Sequence, residues 1–176
     1  MPPAPPRRRS VVSGPATARS WSSIDMEEIE ELIIAYAHDI DDSKLVGWPE
    51  YFTEDGTYTV LTRENLAQGL PMGIMYCQGR GMMADRIKAM QTANIFEAHT
   101  YCHLLGRSQI SAGSDGRYSA RTNFNITRTM QDGASEMFAV GKYLDVIEIQ
   151  NGRPLFKDRK VVLESRRVDI LLVYPL

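Results

Sequence analysis

One histidine and three acids at the end of the first helical stretch could do acid–base chemistry. His38 is followed closely by Asp39, Asp41 and Asp42. A carboxylate beside an imidazole can serve as a general acid and base when both lie in a pocket. The same residues are also typical of a helix end that becomes polar as the chain enters a loop, and we favour that structural interpretation.

A second group has the residue types of a non-haem iron site. It consists of Glu97, His99 and His103, and two imidazoles with one carboxylate can hold that metal. Both histidines fall at the start of a predicted strand. Residues four apart on a strand share a face, but about 13 Å of extended chain separates them. This separation is too large for shared ligation, so we expect a structural or interface role.

The motifs of common redox and nucleotide sites are missing from the sequence. A Rieske cluster needs two Cys–His pairs, whereas only Cys102 of the two cysteines has a histidine beside it. The Gly79-Arg80-Gly81 stretch fits neither a Walker loop nor a dinucleotide-binding motif. We therefore predict no catalytic, cofactor-binding or metal-binding residue in this chain, and we interpret Cys77 and Cys102 as packing residues.

Composition narrows the classes of protein further. The chain has 176 residues, 43% of them hydrophobic and 24% charged, which is typical of one soluble domain. Four arginines and no acid lie in the first twenty residues, leaving 16 basic and 22 acidic residues, or about −6. An acidic body argues against nucleic-acid binding, and no apolar run is long enough to cross a bilayer. Two unpaired cysteines favour a cytoplasmic location.

The amino-terminal segment is rich in proline and arginine. Three consecutive arginines, at positions 7–9, could suggest an export signal. No apolar segment of sufficient length follows them, so we predict a flexible arm over residues 1–21. Residues 22–176 then form a single domain.

Three helices are predicted in the first half of the domain. The first has a clear apolar stripe at helical spacing, and Ser23 or Asp25 can cap its start. A short second helix is predicted over 44–52 and a third over 82–95. The stripe of the first helix consists of Ile29, Leu32, Ile33, Tyr36, Ala37 and Ile40.

The rest of the domain has the pattern of a sheet. A strand is predicted over 57–62, and an extended segment over 72–77. From Thr100 onward, four strands are separated by turns at 114–116, 132–133 and 151–152, which contain Asp-Gly or Asn-Gly. The expected fold is α+β, a cone in which helices lie in the concave face of a long, curved, mixed or antiparallel sheet.

Several stretches resemble the β subunits of Rieske-type aromatic-ring-hydroxylating dioxygenases, and within that family they look most like the small subunits of terephthalate dioxygenases. The resemblance covers about residues 25–176. Many β subunits have Asp-Ser or Asp-Gln where this chain has Glu164-Ser165. The stretches are 48–55 (WPEYFTED), 83–87 (MADRI), 93–99 (ANIFEAH), 101–106 (YCHLLG), 158–165 (DRKVVLES) and 174–176 (YPL).

The resemblance implies a nuclear-transport-factor-like (SnoaL-like) cone and a division of labour. A larger α subunit would carry the Rieske [2Fe–2S] cluster and a mononuclear Fe(II), and a reductase would supply electrons from NAD(P)H. Both atoms of O₂ would enter the aromatic ring as a cis-dihydrodiol. This chain would be a non-catalytic subunit that forms a trimer within a hexamer of three α and three β subunits.

Two alternatives stay open at this stage. The chain could be a stand-alone cone-fold dehydratase, isomerase or polyketide cyclase, with Tyr36, His38, Asp42 or His99 in a pocket. It could also serve a dioxygenase for another benzoate- or salicylate-type acid. For subunit contacts, we expect the exposed faces of the long strands and the Pro175-Leu176 tail to take part.

Overall fold

A computed structural model describes residues 23–70, 73–93, 97–165, 172 and 174–176. The predicted arm at 1–21 lies outside these residues, as do Met72 and the Asn94-Ile95 end of the third predicted helix. In the described part of the chain, no helix is both long and apolar enough to cross a membrane.

The helices follow the predicted order, with different ends. Helix α1 spans Ser23–Asp41 and buries its apolar stripe. The second predicted helix is a 3₁₀ helix, Leu45–Tyr51, which buries Trp48. A short helix that was not predicted, α2, covers Arg63–Ala67, and the Thr62 hydroxyl accepts a hydrogen bond from the Asn65 amide at its start. Helix α3 is described over Gly79–Ala93 and begins earlier than expected.

Within the described ranges, seven strands form one mixed sheet. The first predicted strand is longer than expected, and the extended segment becomes a short strand. The described residues after 98 form five strands rather than four, because residues 106–108 separate two short strands. The strands are β1 (Phe52–Thr62), β2 (Met75–Gln78), β3 (His99–Leu105), β4 (Gln109–Ala112), β5 (Tyr118–Met130), β6 (Ser135–Gln150) and β7 (Arg153–Leu163).

The strand order is β2-β1-β7-β6-β5-β3, with β4 paired to β5. All pairs are antiparallel except β1 with β7. The predicted Asn151-Gly152 turn joins β6 to β7, and both residues have positive φ, 53° and 75°. Register shifts at Ile126/Thr127 and Val146/Ile147 interrupt the long pairings, and such bulges bend a sheet.

The core lies between the helices and one face of the sheet. Along β5, buried and exposed residues alternate from Tyr118 to Ile126, as expected for a sheet with one face covered. Helix α1 packs against β3 and β7, and α3 packs against β1. The α+β class is therefore confirmed.

Candidate functional site

A buried arginine occupies the space between α1 and the sheet. Arg159 on β7 is fully buried, and its guanidinium carbon lies 4.0 Å from the ring centre of Tyr36 on α1. The corresponding distances are 4.2 Å to Tyr143 and 3.9 Å to Phe156. These distances are in the range of strong cation–π contacts. We call Arg159, Asp145 and these three rings the core cage.

Asp145 completes the core cage from the neighbouring strand. It lies directly opposite Arg159 in the β6–β7 register. Two hydrogen bonds join the side chains, Nε to Oδ1 at 2.8 Å and Nη2 to Oδ2 at 2.8 Å, and neither side chain is exposed. Burial raises the pKa of the Asp145 carboxyl, although the charge of Arg159 opposes that rise. The pair is therefore well formed but held at a desolvation cost.

Tyrosine hydroxyls beside the core cage bind the last residue of the chain. The Tyr58 hydroxyl accepts from the Leu176 amide at 2.8 Å, and the Tyr36 hydroxyl donates to the Leu176 backbone oxygen at 3.0 Å. Trp48 Nε1 donates to the Tyr36 hydroxyl at 3.1 Å. Burial raises the pKa values of Tyr36 and Tyr58, so both stay protonated and able to donate.

The Pro175-Leu176 tail, which we expected to take part in subunit contacts, packs inside its own chain instead. Both residues are buried within this chain, and Leu176 has no exposed surface. The physical reason is that the apolar side chain of Leu176 joins the core cluster while its backbone groups find partners on Tyr36 and Tyr58.

A second acid–base pair forms at the end of α1. The Asp41 carboxylate accepts from the His103 backbone amide at 2.8 Å, and its other oxygen lies 2.6 Å from His103 Nδ1. The His103 side chain is 0% exposed and that of Asp41 is 18% exposed. His103 Nε2 is buried and has no hydrogen-bond partner in the described part of the chain. We call these two residues the dyad.

The dyad differs from the pairing considered from sequence. His38 is exposed, Asp42 is bound to Lys44 at 2.7 Å, and Asp39 accepts from the Tyr51 hydroxyl at 2.6 Å. Sequence reasoning missed the dyad because its members are 62 positions apart. A signal was present, since Asp41 lies one helical repeat beyond Ala37 on the buried stripe.

The dyad adjoins a pocket between α1 and the connection from β3 to β4. Its volume is about 330 Å³. Of the four residues suggested for a stand-alone enzyme, His38 alone contributes to this pocket, whereas Tyr36 is enclosed in the core cage. We call this cavity the dyad pocket. Its walls are Glu30, Ile33, Ile34, Ala37, His38, His103, Leu105, Gly106, Arg107 and Ser108.

The histidines of β3 take up the predicted arrangement on one face. His99, Tyr101 and His103 point inward, while Cys102 between them is exposed. His99 packs against Tyr101 and Tyr174 rather than joining the dyad, with ring centres 5.1 Å and 4.9 Å apart. Among the described residues, no three His, Cys, Asp or Glu side chains gather as a metal site would require.

The two cysteines do not fit a Rieske cluster. Cys77 is buried on β2 and Cys102 is exposed on β3, and these strands are the two ends of the six-strand path. A cluster needs its two cysteines on one iron. The packing interpretation is correct for Cys77 but wrong for Cys102, because the alternation of β3 turns Cys102 to the outer face.

The outer face of the sheet carries exposed apolar side chains. Leu104 is 63% exposed and Met137 is 68% exposed, and Val140 lies close by in the register. Leu104 and Val140 flank the same residue of β5, Asn125. We call Cys102, Leu104, Met137 and Val140 the outer patch, which lies on one of the long-strand faces expected to take part in subunit contacts.

Comparison with known proteins relates most of the chain to one family. The family profile described as "Ring hydroxylating beta subunit" matches residues 36–169. The small subunit of anthranilate 1,2-dioxygenase from Burkholderia cepacia is 36% identical over 149 residues, covering 85% of this chain and 92% of the relative. The β 1 subunit of the terminal oxygenase component of terephthalate 1,2-dioxygenase from a Comamonas species is 39% identical over 142 residues, covering 81% and 92%.

Solved structures agree with the sequence comparison. The β subunit attributed to an aromatic-ring-hydroxylating dioxygenase of Novosphingobium aromaticivorans has a TM-score of 0.79 and 33% identity, covering 87% of this chain and 97% of that chain. An NTF2-like protein with a cystatin-like fold from the same species has a TM-score of 0.62 at 20% identity, covering 87% and 90%. The second likeness shows the fold alone and confirms the predicted cone. The chain belongs to the β subunits of aromatic-ring-hydroxylating dioxygenases, which are parts of oxidoreductase complexes.

Proposed function

We propose that the chain is the non-catalytic assembly subunit of an aromatic-carboxylate dioxygenase, in which it supports a larger α subunit. The observation that carries this proposal is the core cage. Arg159 and its three aromatic neighbours fill the interior between α1 and the sheet, where a stand-alone cone-fold enzyme with Tyr36 at its site would need an open pocket.

The redox chemistry is assigned to the partner. In this proposal the α subunit holds a Rieske [2Fe–2S] cluster and a mononuclear Fe(II), and a reductase delivers electrons from NAD(P)H. The separation of Cys77 from Cys102 on opposite ends of the sheet supports that division. The two cysteines stay free thiols in the structure, which fits a reducing, cytoplasmic location.

The assembly is proposed to be a hexamer of three α and three β subunits, with the β subunits forming a trimer. Cyclic assembly uses one patch of each subunit against a different patch of the next. The outer patch is a candidate for a subunit contact, because Leu104 and Met137 are large apolar side chains more than half exposed.

The substrate is proposed to be an aromatic carboxylate, and terephthalate is the first to test. The relatives named as subunits of terephthalate 1,2-dioxygenase and anthranilate 1,2-dioxygenase match this chain at 39% and 36% identity. Both named compounds are aromatic rings that bear a carboxylate. A benzoate- or salicylate-type acid belongs to the same class.

The proposal is tested by reconstitution. The full chain is co-expressed with its genomic α partner, and O₂ uptake is followed with reductase, NADH and iron for terephthalate, anthranilate, benzoate and salicylate in turn. We expect cis-dihydroxylation of at least one acid by the complex and none by this chain alone. Turnover of any of these acids by the isolated chain, with or without iron, would overturn the proposal.

A further inference from the structure

The last three residues of the chain are held by side chains of the core rather than by a neighbouring strand. We call Tyr174, Pro175 and Leu176 the docked tail, which belongs to no helix or strand. The Leu176 amide donates to the Tyr58 hydroxyl at 2.8 Å, and the Tyr36 hydroxyl donates to the Leu176 oxygen at 3.0 Å. In the sheet, by contrast, backbone groups pair with the backbone of the next strand. Leu176 is therefore bound in the way that a protein binds a peptide ligand.

The groups that receive Leu176 are fixed by contacts of their own. We call Tyr36 on α1, Trp48 on the 3₁₀ helix and Tyr58 on β1 the tail site. Trp48 Nε1 donates to the Tyr36 hydroxyl at 3.1 Å, and the Trp48 and Tyr58 rings meet edge to face with their centres 5.0 Å apart. None of these contacts involves the docked tail. The two hydroxyls are thus positioned in advance, which lowers the entropy cost of binding.

The chemistry of the tail site defines its ligand. The Leu176 side chain has no exposed surface and packs in the core cluster, while its amide and its carbonyl each meet a tyrosine hydroxyl. The matching ligand therefore needs an apolar side chain, one N–H and one C=O. Pro175, which is also buried, fixes one backbone angle of the segment. These properties are those of a short apolar peptide ending in Pro-Leu.

Contacts next to the tail site connect this end of the chain to two other elements. The ring centre of the half-buried Tyr174 lies 4.9 Å from that of His99 and 5.7 Å from that of Tyr101, both on β3. The Leu172 oxygen accepts from Arg86 Nη2 on α3 at 3.1 Å. The end of the chain thus touches α1, α3, β1 and β3, and its docking holds these elements together.

From this arrangement we propose that the tail site is a binding site for a short apolar peptide, occupied in cis by the docked tail, and that the tail leaves it without unfolding of the sheet. Because the tail is tethered, its effective concentration at the site is high. A free peptide of the same sequence therefore binds only when the chain's own tail is prevented from docking.

Hydrogen exchange on the full wild-type chain tests whether the tail leaves by itself. The Leu176 amide is compared with that of Tyr143, a buried residue of β6 that pairs with strands on both sides. After correction for intrinsic rates, we expect exchange at Leu176 to be at least about tenfold faster, since local opening requires less free energy than global unfolding. Equal protection of the two amides would overturn the proposal.

A peptide added in trans tests the ligand. Leu176→Asp puts a charge into the buried apolar position and should keep the tail out. We expect acetyl-Tyr-Pro-Leu to raise the thermal midpoint of this full-length variant saturably. The same peptide with N-methyl-leucine, which cannot donate to Tyr58, should bind at least about tenfold more weakly.

Two controls complete the peptide experiment. The wild-type chain, whose own tail fills the site, should show no shift with the peptide, and neither should Leu70→Asp, at a residue that is 47% exposed. No rise in the midpoint of Leu176→Asp up to about 10 mM peptide, or equal effects of the two peptides, would contradict the site. If Leu176→Asp does not fold alone, the same peptide should restore its folded state, and the exchange measurement on the wild-type chain stands independently.

Discussion

The core cage and the dyad are two acid–base pairs built from similar parts, yet they differ in what surrounds them. In the core cage, both charged partners are fully buried and three aromatic rings cover the guanidinium. In the dyad, Asp41 is partly exposed and His103 Nε2 is left without a partner among the described residues. The comparison teaches that the neighbours of a charged pair, more than the pair itself, decide whether both partners are fully removed from water.

The largest effect is expected from breaking the core cage on one side. Arg159→Leu leaves the Asp145 carboxylate buried without its cation, so we expect a loss of about 3–5 kcal/mol in the free energy of unfolding, measured by urea denaturation. Lys44→Ala removes one member of an exposed pair whose side chain is 61% accessible, and this control should cost less than about 1 kcal/mol. Equal losses in the two variants would contradict the account of the cage.

Replacing both Arg159 and Asp145 tests whether the loss comes from leaving one charge buried alone. Because burial of the Asp145–Arg159 pair carries a desolvation cost, the double variant Arg159→Leu/Asp145→Leu should recover at least half of the stability lost in Arg159→Leu. The recovered stability is measured from the urea unfolding midpoints of the single variant, the double variant and the wild-type chain. A double variant no more stable than the single one would contradict this account, because the unpaired Asp145 carboxylate would then carry no desolvation cost.

A smaller loss is expected at the rim of the core cage. Tyr58→Phe removes the hydroxyl that accepts from the Leu176 amide and leaves that buried amide unpaired, so the free energy of unfolding should fall by about 1–3 kcal/mol. Tyr76→Phe, at a residue that is 47% exposed, is the matched control and should change little. If both variants unfolded at the same urea concentration as the wild-type chain, the stabilising role given to the Tyr58 hydroxyl would be contradicted.

The dyad should contribute less to stability than the core cage. Asp41→Ala removes two hydrogen bonds to His103, but water can reach the partly exposed position, so we expect a loss of about 1 kcal/mol. The neighbouring Asp42→Ala, at an exposed residue, serves as the control in the same urea titration. If Asp41→Ala lost as much free energy of unfolding as Arg159→Leu, the dyad would not be the less stabilising of the two pairs.

The smallest effect concerns a surface acid outside both regions. Hydrogen bonds from Arg63 and Lys142 lower the pKa of Glu164 below its ordinary value of 4.5. A lowered pKa in the folded state contributes stability above the unfolded pKa, and that contribution is lost as the pH falls through the folded value. Thermal midpoints between pH 7 and about pH 3 should therefore fall less steeply in Glu164→Gln than in the wild-type chain. Parallel curves would contradict this.

The local patterns of the sequence predict much of the fold, but they predict little of the core cage and the dyad. The apolar stripe predicts α1, and Asn151-Gly152 predicts the β6–β7 hairpin, because both signals lie within a few residues. The core cage depends on the register that places Asp145 opposite Arg159, which no local pattern encodes. A partial signal exists, since Asp145 shares the inward face of β6 with Tyr143 and Ile147. A charge at such an alternating position indicates a buried pair.

The mass of the complex formed with the α partner tests the central claim most directly. The full chain is co-expressed with the genomic α subunit, purified through a tag on α, and measured by native mass spectrometry. The account predicts one species that contains three copies of this chain and three α subunits. A chain that stays alone beside its α partner at every concentration would contradict it.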